Sequence, residues 1–166
     1  MGRKRKGAGS GRTRVLFVCL GNKMRSRTGE DIFKGHPRLD VASAGTIDWS
    51  TVVLCDAHVL WADTVFVMEK TMEQFIRTRF PAAAKGKRIV CLDIPDRYQR
   101  GNPQLIQILK SKVCPILGIP KSEIPDIGVT ERLFDDYAKT LKVREGSIWD
   151  RGYYSVVAGN VSGDVG

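Results

Sequence analysis

The sequence predicts a doubly wound α/β domain: a four-stranded parallel sheet with helices on both faces. Two observations carry this. Four short apolar runs, rich in β-branched and aromatic residues, each fit a strand buried on both faces, and they alternate with segments of helical period. The first run also leads through a Cys-x5-Arg loop directly into a helix start, so the order is β-loop-α-β-α-β-α-β-loop-α.

The elements follow in order. Val15–Cys19 is a continuous apolar run and forms the first strand. Gly21 and Asn22 give a turn signal. From Ser26 onwards, Glu30, Ile32 and Phe33 fall at helical spacing. Val41–Ala44 is a short strand ended by Gly45. Asp56 is expected to cap a short helix carrying Val59, Leu60 and Trp61. Thr64–Met68 is another buried strand. Thr71 and Gln74 fit a capping box with Thr71 as N-cap. The helix after it places Met72, Phe75 and Ile76 on one face and stops near Pro81. Arg88–Leu92 is the fourth strand, and residues 93–102 are a polar loop. Asn102 and Pro103 read as an N-cap followed by proline at the first helical position. Leu105, Ile106, Ile108 and Leu109 then make an apolar helix face. From Ser111 the pattern weakens, because Pro115, Pro120 and Pro125 interrupt it. Thr130–Lys142 is expected to be an amphipathic helix with Leu133, Phe134, Tyr137, Ala138 and Leu141 inward. Residues 146–166, with five glycines and the Tyr153-Tyr154 pair, take no assignment. The expected organisation is a disordered basic arm over 1–13, an α/β domain over 14–112, and a C-terminal extension over 113–166.

Length and composition agree. A chain of 166 residues with 42% hydrophobic residues suits one compact domain and excludes a fibrous or wholly disordered one. The apolar run around Val15 is too short for a signal-peptide core or a membrane span. Lys6 stands where a myristoylation pattern needs Ser or Thr. A cytoplasmic protein with no membrane partner is expected. Cys19, Cys55, Cys91 and Cys114 form no C-x-x-C pair and show no zinc spacing. Their even count admits disulfides; free thiols in a reducing compartment are the better reading.

Charge needs placing before it is interpreted. The net charge is +9, from 27 Lys and Arg against 18 Asp and Glu. Such an excess suggests a nucleic-acid partner. Six of the cations lie in residues 1–14, where there is no acid; removing them leaves 21 against 18, a net of +3. The excess is thus mainly a tail property, and nucleic acid is not the favoured partner.

The informative segment is Val18–Ser26. A cysteine ends a buried strand, a five-residue loop follows, then Arg25, Ser26 and a helix start. Loop N–H groups and a helix N-terminus converge on one spot and favour an anion. Arg25 can fork onto two phosphate oxygens. Such a field also stabilises a thiolate. Ser26 is placed to donate its hydroxyl to the sulfur, Gly21 allows close approach or a positive φ, and Asn22 can lock the loop.

These residues resemble the active-site loop of the low-molecular-weight protein tyrosine phosphatases, whose fold is shared by thioredoxin-coupled arsenate reductases. The resemblance extends to Ser43–Thr46, to Trp61-Ala62-Asp63 and to the Leu92–Tyr98 segment, which is similar to the acid loop of short bacterial members. It implies a phosphomonoester hydrolase, a protein tyrosine phosphatase first, working through a phosphocysteine without metal or organic cofactor. It implies Cys19 as nucleophile, Arg25 as phosphate ligand and Asp96 as general acid, with Asp93 as the alternative acid. Leu20, Gly21, Asn22, Lys23, Met24 and Ser26 complete the phosphate-binding loop. Ser43 supports Asn22, and Trp49 and Tyr98 line the substrate cleft. The implied partner is a phosphorylated protein or a small phosphomonoester; oligomeric state stays open. His36 and His58 match nothing in the site and are expected to be surface or capping residues.

The chain also departs from the family. Lys23 stands where relatives carry an aliphatic residue or threonine, Met24 replaces a second loop cysteine, and Arg27 replaces a proline. Met72 replaces a loop-bracing histidine, and Asn102 replaces an acid. The alternatives are a phosphate-binding regulatory module of the same fold and, more remotely, an arsenate reductase. Resolving cysteines of the latter would follow the third strand, where this chain reads Val67-Met68-Glu69.

Overall fold

The computed structural model describes residues 11–126. Within them the chain forms β1 (Thr13–Cys19), α1 (Arg25–Phe33), β2 (Leu39–Gly45), α2 (Asp56–Trp61) and β3 (Thr64–Val67). It continues through α3 (Lys70–Arg79), α4 (Pro81–Ala84), β4 (Arg88–Cys91) and α5 (Pro103–Leu117), then a 3-10 turn, Lys121–Glu123. The four strands form one parallel sheet in the order β2-β1-β3-β4.

This order fixes where a ligand can bind. The chain steps from β1 outward to β2, then crosses back over β1 to β3. Right-handed crossovers put α1 and α2 on opposite faces. Accordingly α1 packs with α5, while α4 packs with both α2 and α3. The order reverses between β1 and β3, so the crevice beyond their carboxyl ends is the ligand position of such a sheet.

The expected strands are present, and all four residues of β3 and the last five of β1 are buried. Phe17 is stacked between Phe33 and Phe66, with ring centroids 5.6 and 5.5 Å away. A Cβ on Gly29 would come within 2.8 Å of the Phe17 ring, so glycine lets α1 lie close on β1.

Helix boundaries differ from the expectation in four places. α3 begins at Lys70 with Glu69 as N-cap, not at Thr71. Met68 still pairs with β1 through its N–H to Val18 O, so the turn falls directly after it. α2 is capped by Cys55, not Asp56: Cys55 and His58 form the reciprocal capping pair, giving His58 a capping role. α4 follows Phe80 with Pro81 at its first turn. α5 carries the expected Asn102 cap, whose Oδ1 accepts from Gln104 N and Leu105 N. It runs through Pro115 to Leu117, beyond residue 112, and ends on left-handed Gly118. Val113 and Cys114 are buried there, and core packing outweighs the one hydrogen bond the proline forgoes.

The core continues through Ile119 and Ile124. His36 is buried rather than on the surface. Its Nδ1 accepts from Arg38 N, so Nε2 donates to Glu123, 2.6 Å away. Buried Lys110 donates to Asp126 at 2.6 Å; this bond first, and that from Gln107 second, hold the Asp126 carboxyl below its usual range. The expected helix over 130–142 and residues 1–10 of the expected arm over 1–13 lie outside the described residues; the arm is shorter than expected at its end, because Thr13 already pairs with Leu39 in β1. Among the described residues no helix is long and apolar enough to cross a membrane.

Candidate functional site

Cys19 is the last residue of β1 and is buried. The chain then turns through Leu20–Met24 into α1. The loop carbonyls face away from the turn, towards residues 46–51. Thr46 N donates to Cys19 O, Ile47 N to Leu20 O and Thr51 N to Gly21 O, at 3.2–3.3 Å. Asn22 N–H donates to Cys19 Sγ at 3.2 Å. The N–H groups of Lys23, Met24, Arg25 and Ser26 have no hydrogen-bond acceptor among the described residues. Unpaired first-turn donors of this kind are what an anion completes.

Asn22 holds the loop in shape. It is the residue with positive φ, 51°, a role open to Gly21 on sequence grounds. Its side chain uses both donors and its acceptor: Nδ2 donates to Ser26 Oγ at 2.8 Å and to Ser43 Oγ at 2.9 Å, and Oδ1 accepts from Val52 N at 3.1 Å. Because each serine oxygen accepts from Asn22, each serine proton points onward. Ser26 Oγ lies 2.9 Å from Cys19 Sγ, and Ser26 is the donor when the sulfur is a thiolate. Ser43 donates to Glu30, which also receives Arg27 Nη1 at 3.2 Å. Glu30 lies one turn after Ser26, on the same side of α1, which was its only signal in the sequence. Met72 lies in the core.

Gly45 is where the loop demands a glycine. A Cβ there would stand 2.7 Å from Leu20 O and 2.8 Å from Asn22 N and would overlap Ser50 Oγ. At Gly21 the nearest atom would be Ile47 Cδ1, 3.8 Å away. Gly45→Ala is therefore expected to lower stability by about 1–3 kcal/mol. By moving the loop it should also lower turnover on the order of a hundredfold. Thermal melts and aryl-phosphate kinetics of the same preparation check both.

Arg25 is the largest fully buried side chain, 1% exposed. Its Nη1 donates to Glu69 Oε1 at 2.5 Å and to Ile94 O at 2.7 Å. Its Nε lies 3.4 Å from Asp96 Oδ1, and the Asp96 side chain is 59% exposed. Asp96, beyond the carboxyl end of β4, thus meets Arg25, the first residue of α1 after the Cys19 loop. The segment bearing Asp96 is tied to α1: Arg100 forks onto Asp31 at 2.7 and 2.9 Å, and Gly101 N donates to Thr28 Oγ1 at 3.1 Å. The sequence reading missed Glu69, Ile94 and this Asp31–Arg100 pair. Glu69 carried one signal, its position at the carboxyl end of a strand.

The remaining candidates differ in setting. Lys23 is exposed, Met24 half-buried and Leu20 45% exposed. Trp49 is 73% exposed. Tyr98 is nearly buried, its face covered by the Arg97 guanidinium and its hydroxyl taken by Arg97 Nη2 at 3.3 Å. Asp93 is exposed at a positive φ of 52° and contacts none of Cys19, Arg25 or Asn22 through a hydrogen bond or ion pair. All four cysteines are free; burial pushes the Cys114 thiol up, which disfavours its exchange with other thiols. Among the described residues no three His, Cys, Asp or Glu side chains gather as a metal site requires.

Solved structures share this architecture. The low-molecular-weight protein tyrosine phosphatase SP-PTP from Streptococcus pyogenes superposes with a TM-score of 0.53 at 17% identity, over 64% of this chain and 91% of its own. YfkJ from Bacillus subtilis gives 0.51 at 19% identity, over 68% and 96%. The tyrosine phosphatase amsI from Erwinia amylovora gives 0.50 at 21%, over 68% and 95%. The chain therefore has the fold of the low-molecular-weight protein tyrosine phosphatases, with Cys19 and Arg25 flanking the loop after its first strand. No protein-family model matches the sequence, and no curated protein matches it as a relative.

Proposed function

We propose that this protein is a cysteine-dependent phosphomonoester hydrolase acting on phosphotyrosine in proteins or on a small aryl phosphate. One observation carries the reading. A buried cysteine accepts from Asn22 N–H and stands 2.9 Å from Ser26 Oγ, in a loop whose next four N–H groups have no acceptor among the described residues and which ends at a buried arginine.

The steps follow from that arrangement. The Cys19 thiolate attacks phosphorus in line with the leaving oxygen, and the phosphorus–oxygen ester bond breaks as the phosphorus–sulfur bond forms. The loop N–H groups and Arg25 hold the three equatorial oxygens while charge spreads over them. Asp96 gives its proton to the leaving oxygen. In the second step water attacks the phosphocysteine, Asp96 takes the water's proton, and the Cys19 thiolate leaves with inorganic phosphate as product. Ser26, whose proton points at the sulfur, stabilises the departing thiolate.

The test is hydrolysis of aryl phosphates by the purified protein from mildly acidic to neutral pH; absence of turnover overturns the reading. Asp96→Asn is expected to slow hydrolysis by roughly 10²–10⁴ for a poor leaving group such as the tyrosine phenolate. The loss should shrink for p-nitrophenyl phosphate, whose leaving oxygen needs less protonation. Equal losses for both substrates would remove Asp96 from the acid role.

A further inference from the structure

We propose that Glu69 is the positioning residue of this site: it holds the Arg25 guanidinium with one edge open to an oxyanion and keeps it from closing onto Asp96. The proposal rests on the phosphatase reading above for its consequence in turnover, and on the geometry of Arg25 for its consequence in binding.

A guanidinium has five N–H donors in a rigid plane. At Arg25 both hydrogens of Nη1 are spent, one on Glu69 Oε1 at 2.5 Å and one on Ile94 O at 2.7 Å. Among the described residues no acceptor hydrogen-bonds to Nε or Nη2. With Nη1 committed, the Nε–Nη2 edge is the one left for two parallel hydrogen bonds to a tetrahedral oxyanion. Glu69 and Ile94 therefore set which edge faces the ligand.

Both acceptors are anchored by the sheet. Met68 N donates to Val18 O, Ile94 N donates to Met68 O, and Met72 N donates to Glu69 O. Glu69 thus leaves the end of β3 with its backbone bonded into α3, and Ile94 leaves the end of β4 bonded to β3. Their spacing is a property of the strands.

The competitor is Asp96. Its Oδ1 stands 3.4 Å from Nε, inside ion-pair range without a hydrogen bond. A buried arginine that loses its anionic partner seeks another. Without Glu69, the guanidinium has a second carboxylate within reach on the edge that the oxyanion needs. Closing that pair would occupy the phosphate site and draw the general acid away from the leaving oxygen. Loss of Glu69 should therefore lower kcat more than it raises KM, and part of the loss should run through Asp96.

The experiment uses the full chain, with tungstate binding followed by calorimetry and p-nitrophenyl phosphate turnover followed in parallel. Glu69→Ala is expected to weaken tungstate binding on the order of tenfold and to lower kcat on the order of a hundredfold. Glu69→Gln keeps the acceptor and loses the charge, so it should recover to within about tenfold of wild-type kcat. Glu73→Gln removes the same charge from the neighbouring turn, where Glu73 pairs with Arg77; it should change neither reading. In an Asp96→Asn background, Glu69→Ala should cost less than in the wild type. Wild-type tungstate affinity in a folded Glu69→Ala protein overturns the proposal. So does a Glu69→Gln protein as impaired as Glu69→Ala, or a loss unchanged by Asp96→Asn. A wild type that binds tungstate without turning over sinks the hydrolase reading alone, because the binding comparison still decides the role of Glu69. A wild type that binds no tungstate overturns both.

Discussion

Cys19→Ser is expected to reduce aryl-phosphate turnover by roughly 10⁴-fold or more while leaving tungstate binding largely intact. The two halves of this expectation have separate causes. Serine is nearly isosteric with cysteine, and both donors at the sulfur position, Asn22 N–H and the Ser26 hydroxyl, can donate to an oxygen as well. The loop should keep its shape, because Asn22 is held by Ser43 and Val52 rather than by Cys19 alone. The oxyanion ligands, Arg25 and the unpaired N–H groups of Lys23–Ser26, are untouched. The nucleophile is not. A serine hydroxyl needs a general base to attack phosphorus, and no histidine reaches it: His58 caps α2 and His36 pairs with Glu123. Steady-state kinetics and calorimetry on one preparation separate these effects. Turnover above about one per cent of wild type would point to direct attack by water, with Cys19 as a bystander.

Much of this arrangement is legible in the sequence, and the limits have physical causes. The strands are readable because a parallel sheet buried on both faces demands runs such as Val15–Cys19 and Thr64–Val67, which few other structures tolerate. The nucleophile and the arginine are readable because the loop is local: seven residues hold the sulfur, the turn and the guanidinium. The start of α3 was not readable. Thr71 and Gln74 satisfy the local capping rule, but Met68 remains bonded to Val18, and that long-range pairing puts the cap at Glu69. Glu69 was missed for the same reason. Its partner Arg25 lies 44 residues away, and no periodicity joins them. The Asp31–Arg100 pair is another such case, with the acid on α1 and the base 69 residues on. Pro115 shows the reverse error, in which a strong local rule yields to packing around Val113 and Cys114. Local chemistry was thus visible and its support was not, because support at the end of a parallel sheet is assembled from distant strands.

Arg25→Lys should remove both binding and turnover, and the contrast with Cys19→Ser is what identifies the arginine's role. Lysine keeps the positive charge but presents three donors from one nitrogen instead of five on a plane. At this position the guanidinium meets Glu69 Oε1 and Ile94 O through Nη1 and still leaves a two-donor edge for the oxyanion. An ammonium that reaches Glu69 cannot also offer that edge. One that moves towards the oxyanion leaves Ile94 O, on a residue 1% exposed, short of a donor. A buried acceptor left unmet costs about 1–3 kcal/mol, so a lower melting temperature should accompany the loss. Turnover should fall roughly 10³–10⁵-fold, the range expected when an arginine that stabilises a transferring phosphoryl group is lost. Tungstate affinity should fall with it, whereas in Cys19→Ser it persists. If the lysine protein binds tungstate as tightly as wild type, positive charge alone suffices. The planar fork, and with it the positioning role of Glu69, would then have no part in recognition.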